Sequence, residues 1–265
     1  MTARVLAVVN QKGGVGKTTT SINVAASLTA EGHPTLLIDL DPQGNATTGS
    51  GVDKKDLQRS VYQVLLGQSP IDEVVVRSPT GEYDLLPSNR ELAGAEVELV
   101  AVDRREFQLR NALAPVLEKY EIVLIDCPPA LNLLTVNGLA AADAVLIPMQ
   151  CEYYALEGLS DLVQTIKRVR ASLNPTLTIE GLLRTMFDPR NALALQVSEQ
   201  LKRHFGNKLY DTIIPRNIRL AEAPSYGKPV MYHDAQSKGA VAYAALAGEM
   251  LMRLATRPPG REHLT

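Results

Sequence analysis

A glycine-rich loop near the amino terminus constrains this chain more than any other feature. The loop Lys12-Gly13-Gly14-Val15-Gly16-Lys17-Thr18-Thr19 follows an apolar run at residues 5–9 and precedes a helix-like segment. Glycines let successive backbone N–H groups point into one concavity, and the helix adds the positive end of its dipole. Lys17 adds a full charge, and Thr18 is placed to bind Mg²⁺ through its hydroxyl. The whole loop is therefore predicted to bind a nucleoside triphosphate with Mg²⁺.

The loop differs from the usual G-x-x-x-x-G-K-[ST] pattern at its entrance. Gln11 occupies the first glycine position, and a second lysine, Lys12, follows it. This variant is called the deviant Walker A motif, and through it the chain resembles the ParA/MinD group of P-loop ATPases. The resemblance implies that Lys12 reaches across a dimer to the partner's nucleotide, and that Lys12 and Lys17 are both catalytic. A chance glycine-rich turn is the alternative, but the order of strand, loop, lysine and helix argues strongly against it.

Length and composition are those of one globular domain. The chain has 265 residues, of which 45% are apolar and 21% charged. We expect one P-loop ATPase domain over residues 1–256 and a frayed tail over 257–265. No apolar run reaches the ~18 residues of a membrane span, and the run at 5–9 is too short for a secretory signal. With only two cysteines in addition, a cytoplasmic protein is expected.

Short apolar runs alternate with helix-length segments. Strands are predicted at residues 5–9, 35–38, 122–125, 144–147, 182–183 and 212–214, a first helix at 19–30, and less regular structure at 53–89 with a helix at 61–66 and short strands at 74–76 and 83–86. Runs that are apolar at every position are typical of strands covered on both faces. The predicted fold class is α/β, a doubly wound, mostly parallel sheet with helices on both faces and ligand loops at the carboxyl ends of its strands.

Two of the predicted strands end in carboxylates. Asp39 and Asp41 follow the second strand, and Asp126 follows the run at 122–125. Asp126 has the Walker B form and is expected to hold a Mg²⁺-bound water. In the ParA resemblance Asp41 polarises the attacking water, and Asp39 then either orders its loop or reaches Mg²⁺ through water. The alternative is that Asp39 and Asp41 only cap a turn.

The run Ile214-Pro215-Arg216-Asn217 follows the last predicted strand. In the ParA family the matching segment lies beside the adenine, so the resemblance implies a ring contact by Pro215 and a polar contact by Asn217. Without the family, a turn that binds no ligand would be the better interpretation.

Two further segments closely resemble chromosomal ParA/Soj proteins, namely Met186-Phe187-Asp188-Pro189-Arg190 and the run at 218–225. In those relatives the arginines that match Arg190 and Arg219 contact DNA nonspecifically. Arginine suits phosphate because its fork donates two parallel hydrogen bonds. The net charge is −2, but residues 167–238 hold twelve Lys/Arg against six Asp/Glu, which leaves room for a locally positive surface. Surface arginines are usually only solvated, so the resemblance carries this prediction.

The resemblance spans residues 5 to about 245 and implies a partitioning ATPase of chromosomes or plasmids. With ATP and Mg²⁺ the chain would form a homodimer that binds double-stranded DNA nonspecifically on the nucleoid. A ParB-type centromere-binding protein would stimulate the otherwise slow hydrolysis and so release the DNA.

Two alternatives stay open. A MinD-like regulator would use residues 248–256 as an amphipathic membrane helix, although the few basic residues there favour packing onto the core and no membrane partner. A small-molecule ligase or an iron–sulfur scaffold could use the same loop. Cys127 and Cys151 lack Cys-x-x-Cys spacing, so they are interpreted as buried structural residues.

Overall fold

The strands form one sheet. The computed structural model describes residues 3–255, and the strands in that range are β1 (Arg4–Val8), β2 (Thr35–Asp39), β3 (Val76–Arg77), β4 (Asp84–Leu86), β5 (Ile122–Asp126), β6 (Ala144–Gln150), β7 (Thr178–Phe187) and β8 (Leu209–Pro215). Their order in the sheet is β3-β4-β2-β5-β1-β6-β7-β8. Neighbouring strands are parallel except β3 and β4, which are antiparallel.

Helices connect these strands. Over residues 3–255 the α-helices are α1 (Lys17–Ala30), α2 (Asn45–Gly49), α3 (Val61–Leu65), α4 (Leu92–Glu98), α5 (Gln108–Leu113), α6 (Leu133–Ala141), α7 (Ala155–Ser172), α8 (Ala192–Phe205), α9 (Ile218–Glu222), α10 (Val230–His233) and α11 (Lys238–Ala255). Short 3₁₀ helices lie at Ile71–Glu73, Leu99–Ala101, Arg105–Phe107, Ala114–Lys119, Gly206–Lys208 and Ala223–Tyr226.

The side chains of β1 alternate between two hydrophobic cores. Val5 and Ala7 belong to one buried cluster together with residues of α5 to α8. Leu6 and Val8 belong to a second cluster together with residues of α1 and α11. The uninterrupted apolar runs therefore reflect burial on both faces of the sheet. The predicted doubly wound α/β fold is confirmed.

The chain changes direction in the sheet at β1. It leaves β1 through α1 and reaches β2 on one side, whereas β6 lies on the other side and follows β5 through α6. Doubly wound sheets bind ligands beyond the carboxyl ends of their strands at such a point. The parallel register places Asp126 of β5 opposite both Val8 of β1 and Asp39 of β2. The acids predicted to act together thus end neighbouring strands.

Several strand predictions were wrong in extent, and two of them differ most clearly. The strand expected at 74–76 contains only Val76 from that run, because the N–H groups of Val74 and Val75 both donate to the Ile71 carbonyl at 3.0 Å and so continue a 3₁₀ turn. β7 is much longer than the predicted residues 182–183. Glu180, Arg184 and Thr185 interrupt its apolar pattern although they are buried inside the protein.

The final helix packs on the sheet. Tyr243 and Met250 of α11 are buried, at a spacing that places them on one helix face. Glu249 accepts hydrogen bonds from two consecutive backbone N–H groups of the edge strand β8, at 2.9 and 2.8 Å. Residues 248–255 therefore join the core as predicted, whereas the expected tail at 257–265 lies outside the described residues.

Candidate functional site

The glycine loop forms an open turn at the carboxyl end of β1. α1 begins at Lys17 with Gly16 as its N-cap, so the first N–H groups of the helix have no partner within it. Gly14 and Gly16 have φ angles of 73° and 87°, a left-handed conformation that glycine adopts without steric cost. A Cβ built on Gly13 or Gly14 would meet no atom within 4 Å. The loop thus combines exposed donors with open space, which suits phosphate oxygens.

Two lysines of this loop have different environments. Lys17 is 7% exposed, and its Nζ donates to the Lys12 carbonyl oxygen at 3.3 Å, so the ammonium folds back over the loop. Burial lowers the pKa of Lys17, and the Asp126 carboxylate opposes that shift. Lys12 is about half exposed, and its ammonium forms an ion pair with Glu152 in the loop after β6. Lys12 is therefore accessible from outside the chain.

Asp126 lies at the end of β5 and contacts α1 directly. Its Oδ2 accepts a hydrogen bond from Thr18 Oγ1 at 2.7 Å, and its Oδ1 accepts one from Ser21 Oγ at 2.9 Å. Burial, followed by repulsion from Asp39, raises the pKa of Asp126 to about 7. The Walker B acid and the threonine predicted to bind Mg²⁺ are thus in contact.

Asp39 orders the loop that carries Asp41. Its Oδ1 accepts the Asp41 N–H at 3.1 Å, and its Oδ2 accepts both the N–H and the hydroxyl of Thr47 at 2.8 Å. Burial raises the pKa of Asp39 to about 6. Asp41 itself is partly exposed, and its Oδ1 accepts the Gln43 N–H at 2.9 Å. The Asp41 carboxylate therefore lies at the rim of the site.

The oxygen donors of this site fit Mg²⁺. A threonine hydroxyl and aspartate carboxylates are the hard ligands that Mg²⁺ prefers, directly or through water. Asp39 and Asp126 are fully buried, and burial raises the pKa of each carboxyl group, with repulsion from Asp39 adding to the shift of Asp126. A divalent cation would stabilise the charged forms of both groups. Thr18 and Asp126 stand where the motif expects them. The oxygens of Asp39 accept hydrogen bonds from its own loop, and its contact with Mg²⁺ through water stays a prediction.

The residues predicted to contact adenine lie at the end of β8. Pro215 is the last residue of that strand and lines an open, mainly apolar groove of about 580 Å³. Asn217 caps α9, because its Oδ1 accepts the Arg219 N–H at 3.0 Å. β8 is three strand spacings from β1, or ~14 Å. The glycine loop itself contacts β7, the neighbour of β8, because Thr185 Oγ1 of β7 donates to the Val15 carbonyl oxygen at 2.7 Å.

Both arginines predicted to bind DNA follow the carboxyl ends of β7 and β8. The Arg190 side chain is 88% exposed, and its guanidinium donates to both oxygens of Asp188 at 2.9 and 2.7 Å. These bonds lower the pKa of Asp188 to about 2. Arg219 donates to Glu222 at 2.8 Å and lies 3.2 Å from Asp234. Neighbouring carboxylates therefore neutralise each arginine in the single chain.

Three side chains of the site were not predicted. Asn10 accepts the Lys12 N–H at 2.9 Å and donates to a backbone carbonyl of β6 at 2.8 Å, which anchors the loop entrance. Ser21 shares Asp126 with Thr18, and its i+3 spacing on α1 could have revealed it. Thr185 lies 170 residues from its partner in the loop, and nothing in the sequence pattern indicates that contact.

Both cysteines are buried and free. Burial raises the pKa of the Cys127 thiol, and it raises that of Cys151 to about 11. Such protonated thiols agree with the structural role predicted for them.

Within residues 3–255, no group of three or more His, Cys, Asp or Glu side chains is arranged to hold a metal ion. In the described part of the chain, no helix has both the length and the apolar character needed to cross a membrane.

Known proteins resemble the chain over nearly its whole length. The family described as an AAA domain matches residues 3–179. Chromosome partitioning protein ParA of Caulobacter vibrioides is 50% identical over 252 residues, 94% of each chain. Sporulation initiation inhibitor protein Soj of Bacillus subtilis is 49% identical over 247 residues, 93% of this chain and 98% of Soj. A crystal structure of cobyrinic acid a,c-diamide synthase from Mycobacterium smegmatis with bound ATP analog and magnesium is 39% identical with a TM-score of 0.85, and the match covers 98% of both chains.

The raised pKa of Asp126 predicts a pH-dependent effect of Asp126→Asn on the metal-free protein. The folded protein binds a proton on the Asp126 carboxyl group more tightly than the unfolded chain does. This group therefore stabilises the fold fully below its ordinary pKa of 3.8, and the contribution is lost as the pH rises through about 7. Asn carries no charge at any pH. We therefore expect the difference in melting temperature, variant minus wild type, to be several degrees larger at pH 8 than at pH 5. This expectation uses a shift of about 2–4 °C for each kcal/mol of unfolding free energy.

Calorimetry in EDTA at the two pH values measures this difference. Equal differences at pH 5 and pH 8 would show that burial does not penalise the Asp126 charge.

Proposed function

This chain belongs to the ParA/Soj family of P-loop ATPases, and we propose that it is a partitioning ATPase whose nucleotide site is completed by a second copy of the chain. The position of Lys12 carries this proposal. Lys12 lies at the loop entrance, half exposed, and pairs with Glu152 at the surface, whereas Lys17 covers the loop from its own chain. A lysine in that position can meet the phosphates of a nucleotide held by a facing protomer.

Within one chain, the site positions ATP for hydrolysis to ADP and phosphate. The loop N–H groups and Lys17 would hold the phosphates, Thr18 would bind Mg²⁺ directly and Asp126 would bind it through water, and the metal would supply positive charge against the phosphates. Asp41 lies at the rim of the site, where its carboxylate can orient the attacking water. Catalysis of this kind depends on positioning and on stabilising charge, so a chain that lacks the partner's Lys12 should hydrolyse ATP slowly.

Arg190 and Arg219 support the proposed role on DNA. Both are exposed and both follow carboxyl ends of strands, so a two-fold dimer would present four such groups on one side. Contacts to phosphate carry no sequence information, which suits nonspecific binding to the nucleoid. A ParB-type partner that stimulates hydrolysis would then release the DNA by ending the dimer.

Two other functions have less support. A MinD-like membrane role would need an apolar helix face at the carboxyl end, but the described part of α11 packs its apolar side on β8 and α1. A small-molecule ligase is favoured by the 39% identity to the cobyrinic acid a,c-diamide synthase, yet the identity to ParA is higher, at 50%. ATP turnover that rises with DNA and a partner protein, without any small-molecule substrate, would distinguish a partitioning ATPase from a small-molecule ligase.

Asp41→Ala should trap a dimer. Loss of the carboxylate that orients water should block hydrolysis, whereas the loop, Lys17 and Thr18 still bind ATP. Gel filtration with light scattering should show a dimer with ATP and Mg²⁺ and a monomer with ADP. A second substitution, Lys12→Ala, should abolish the ATP-dependent dimer without preventing nucleotide binding, and a persistent dimer in that double variant would contradict the role of Lys12.

Arg219→Glu should weaken binding of the ATP-bound dimer to a random double-stranded DNA by about tenfold or more near 0.1 M salt, because phosphate contacts supply nonspecific affinity. Fluorescence anisotropy over a salt series measures both the affinity and its salt slope, which should become shallower. Arg219→Gln keeps the charge change smaller and should give an intermediate loss.

The matched control is Arg170→Glu in the last turn of α7, which ends at the amino ends of the strands. It should leave DNA affinity within about twofold, since exposed charges beyond a Debye length are screened. Equal losses for Arg219→Glu and Arg170→Glu would show that net charge, not this surface, determines binding.

A further inference from the structure

A chain of buried hydrogen bonds ties the loop that carries Asp41 to the segment after β4. Asp39, Thr47 and Ser88 are each 0% exposed. Thr47 Oγ1 donates to Asp39 Oδ2 at 2.8 Å and accepts the Ser88 N–H at 2.8 Å. Ser88 Oγ then donates to the Asp41 carbonyl oxygen at 2.9 Å. The chain therefore runs from the end of β2, through α2, to the backbone of Asp41.

The backbone of Asp41 is held on both sides by this arrangement. Its N–H donates to Asp39 Oδ1 at 3.1 Å. Its carbonyl oxygen accepts the Gly44 N–H at 2.8 Å as well as the Ser88 hydroxyl. With the peptide groups fixed, the direction of the Asp41 carboxylate follows from a single local bond, the one that Gln43 N–H donates to Oδ1.

The loop that carries Asp41 also touches the segment after β4 directly, through the backbone at Gly44 and Ser88. A Cβ on Gly44 would lie 2.8 Å from the Ser88 carbonyl oxygen, which is closer than real Cβ contacts allow. The loop and the segment after β4 therefore pack directly against each other at Gly44. In a dry site such hydrogen bonds are directional and are costly to leave unmade.

We propose that Ser88 and Thr47 are positioning residues for hydrolysis, which hold Asp41 at the distance from the γ-phosphate where it can orient water. The proposal rests on the role of Asp41 in the proposed function. Both side chains are fully buried, and the bonds described above join them to protein groups. Each acts through the backbone of Asp41, and small misplacements of a catalytic group cost large factors in rate.

Ser88→Ala is the mildest test. It removes the hydroxyl but leaves the Ser88 N–H bond to Thr47, and the Asp41 carbonyl keeps the Gly44 N–H. The single-turnover rate constant for ATP hydrolysis, with protein in excess, should fall by about fivefold to tenfold. The dissociation constant of a fluorescent ATP analogue should stay within about twofold, because the loop at residues 12–19 is unchanged.

The matched control is Ser50→Ala. Ser50 is also 0% exposed and closes α2, but its hydroxyl bonds the Ala46 carbonyl and the Tyr83 hydroxyl, at 2.7 and 2.6 Å, rather than Asp41. It should lower the melting temperature at least as much as Ser88→Ala while leaving the hydrolysis rate unchanged. A rate loss in Ser50→Ala equal to that in Ser88→Ala would overturn the proposal, because general loosening of α2 would then explain both.

Thr47 offers an isosteric pair. Thr47→Val keeps the shape but removes the hydroxyl between Asp39 and Ser88, so the rate should fall by about tenfold or more. Thr47→Ser keeps the hydroxyl and should restore most of the rate. Equal hydrolysis rates for Thr47→Val and Thr47→Ser would overturn the proposal. The hydroxyl that Thr47→Ser keeps would then have no effect on the rate.

A double-variant cycle separates this inference from the proposed function. In an Asp41→Ala background, Ser88→Ala should cause no further loss of rate, because the residue it positions is gone. An equal further loss would show that Ser88 acts elsewhere. If Asp41→Ala itself hydrolyses ATP as fast as wild type, the proposed role of Asp41 fails. If Asp41→Ala is slow but Ser88→Ala is as fast as wild type, only the positioning proposal fails.

Discussion

The parallel register of β1, β2 and β5 is the constraint on which the site depends. It sets Asp39 directly opposite Asp126 and brings Asp126 level with the end of β1, where the glycine loop begins. A shift of one residue would turn each carboxylate to the other face of the sheet. The apolar side chains of these strands fill cores on both faces, so such a shift would exchange side chains of different shape between two closely packed cores. Core packing thereby fixes the position of the acids.

That register places two carboxylates in a dry site beside one buried ammonium. Asp39 and Asp126 have raised pKa values mainly because they are buried, and Lys17 has a lowered pKa for the same reason. Such a cluster is poorly stabilised without a divalent cation and phosphate charge. The hydrogen bond from Thr18 to Asp126 links the phosphate loop to the Walker B strand. Binding of a metal nucleotide would therefore offset part of the electrostatic cost of burying these groups.

The groups proposed to act on other molecules are all paired within the chain. Lys12 pairs with Glu152, Arg190 with Asp188, and Arg219 with Glu222 and Asp234. Exposed ion pairs contribute little to stability, so exchange of these carboxylates for phosphate costs little. The same lysine and arginine side chains can then bind carboxylates in the single chain and phosphate in the proposed complexes. In the proposed complexes, phosphate oxygens would replace these carboxylates as partners of the cations.

Sequence alone determined the fold class, the phosphate loop, and the acids at the strand ends, because each of these is a local pattern: apolar runs, a glycine spacing, and a carboxylate after a strand. It did not determine the length of β7, whose buried polar residues find partners on β8 and α8, as Arg184 does with Tyr210 and Ser198. Tertiary structure alone decided that Thr185 supports the loop, that Ser88 bonds Asp41, and that carboxylates cover the surface arginines. The contacts of Thr185 and Ser88 join residues far apart in the chain, and only the packing of strands side by side brings them within hydrogen-bonding distance. The arginine pairs with Asp188 and Glu222 are local, but no sequence pattern distinguishes a paired surface arginine from a solvated one.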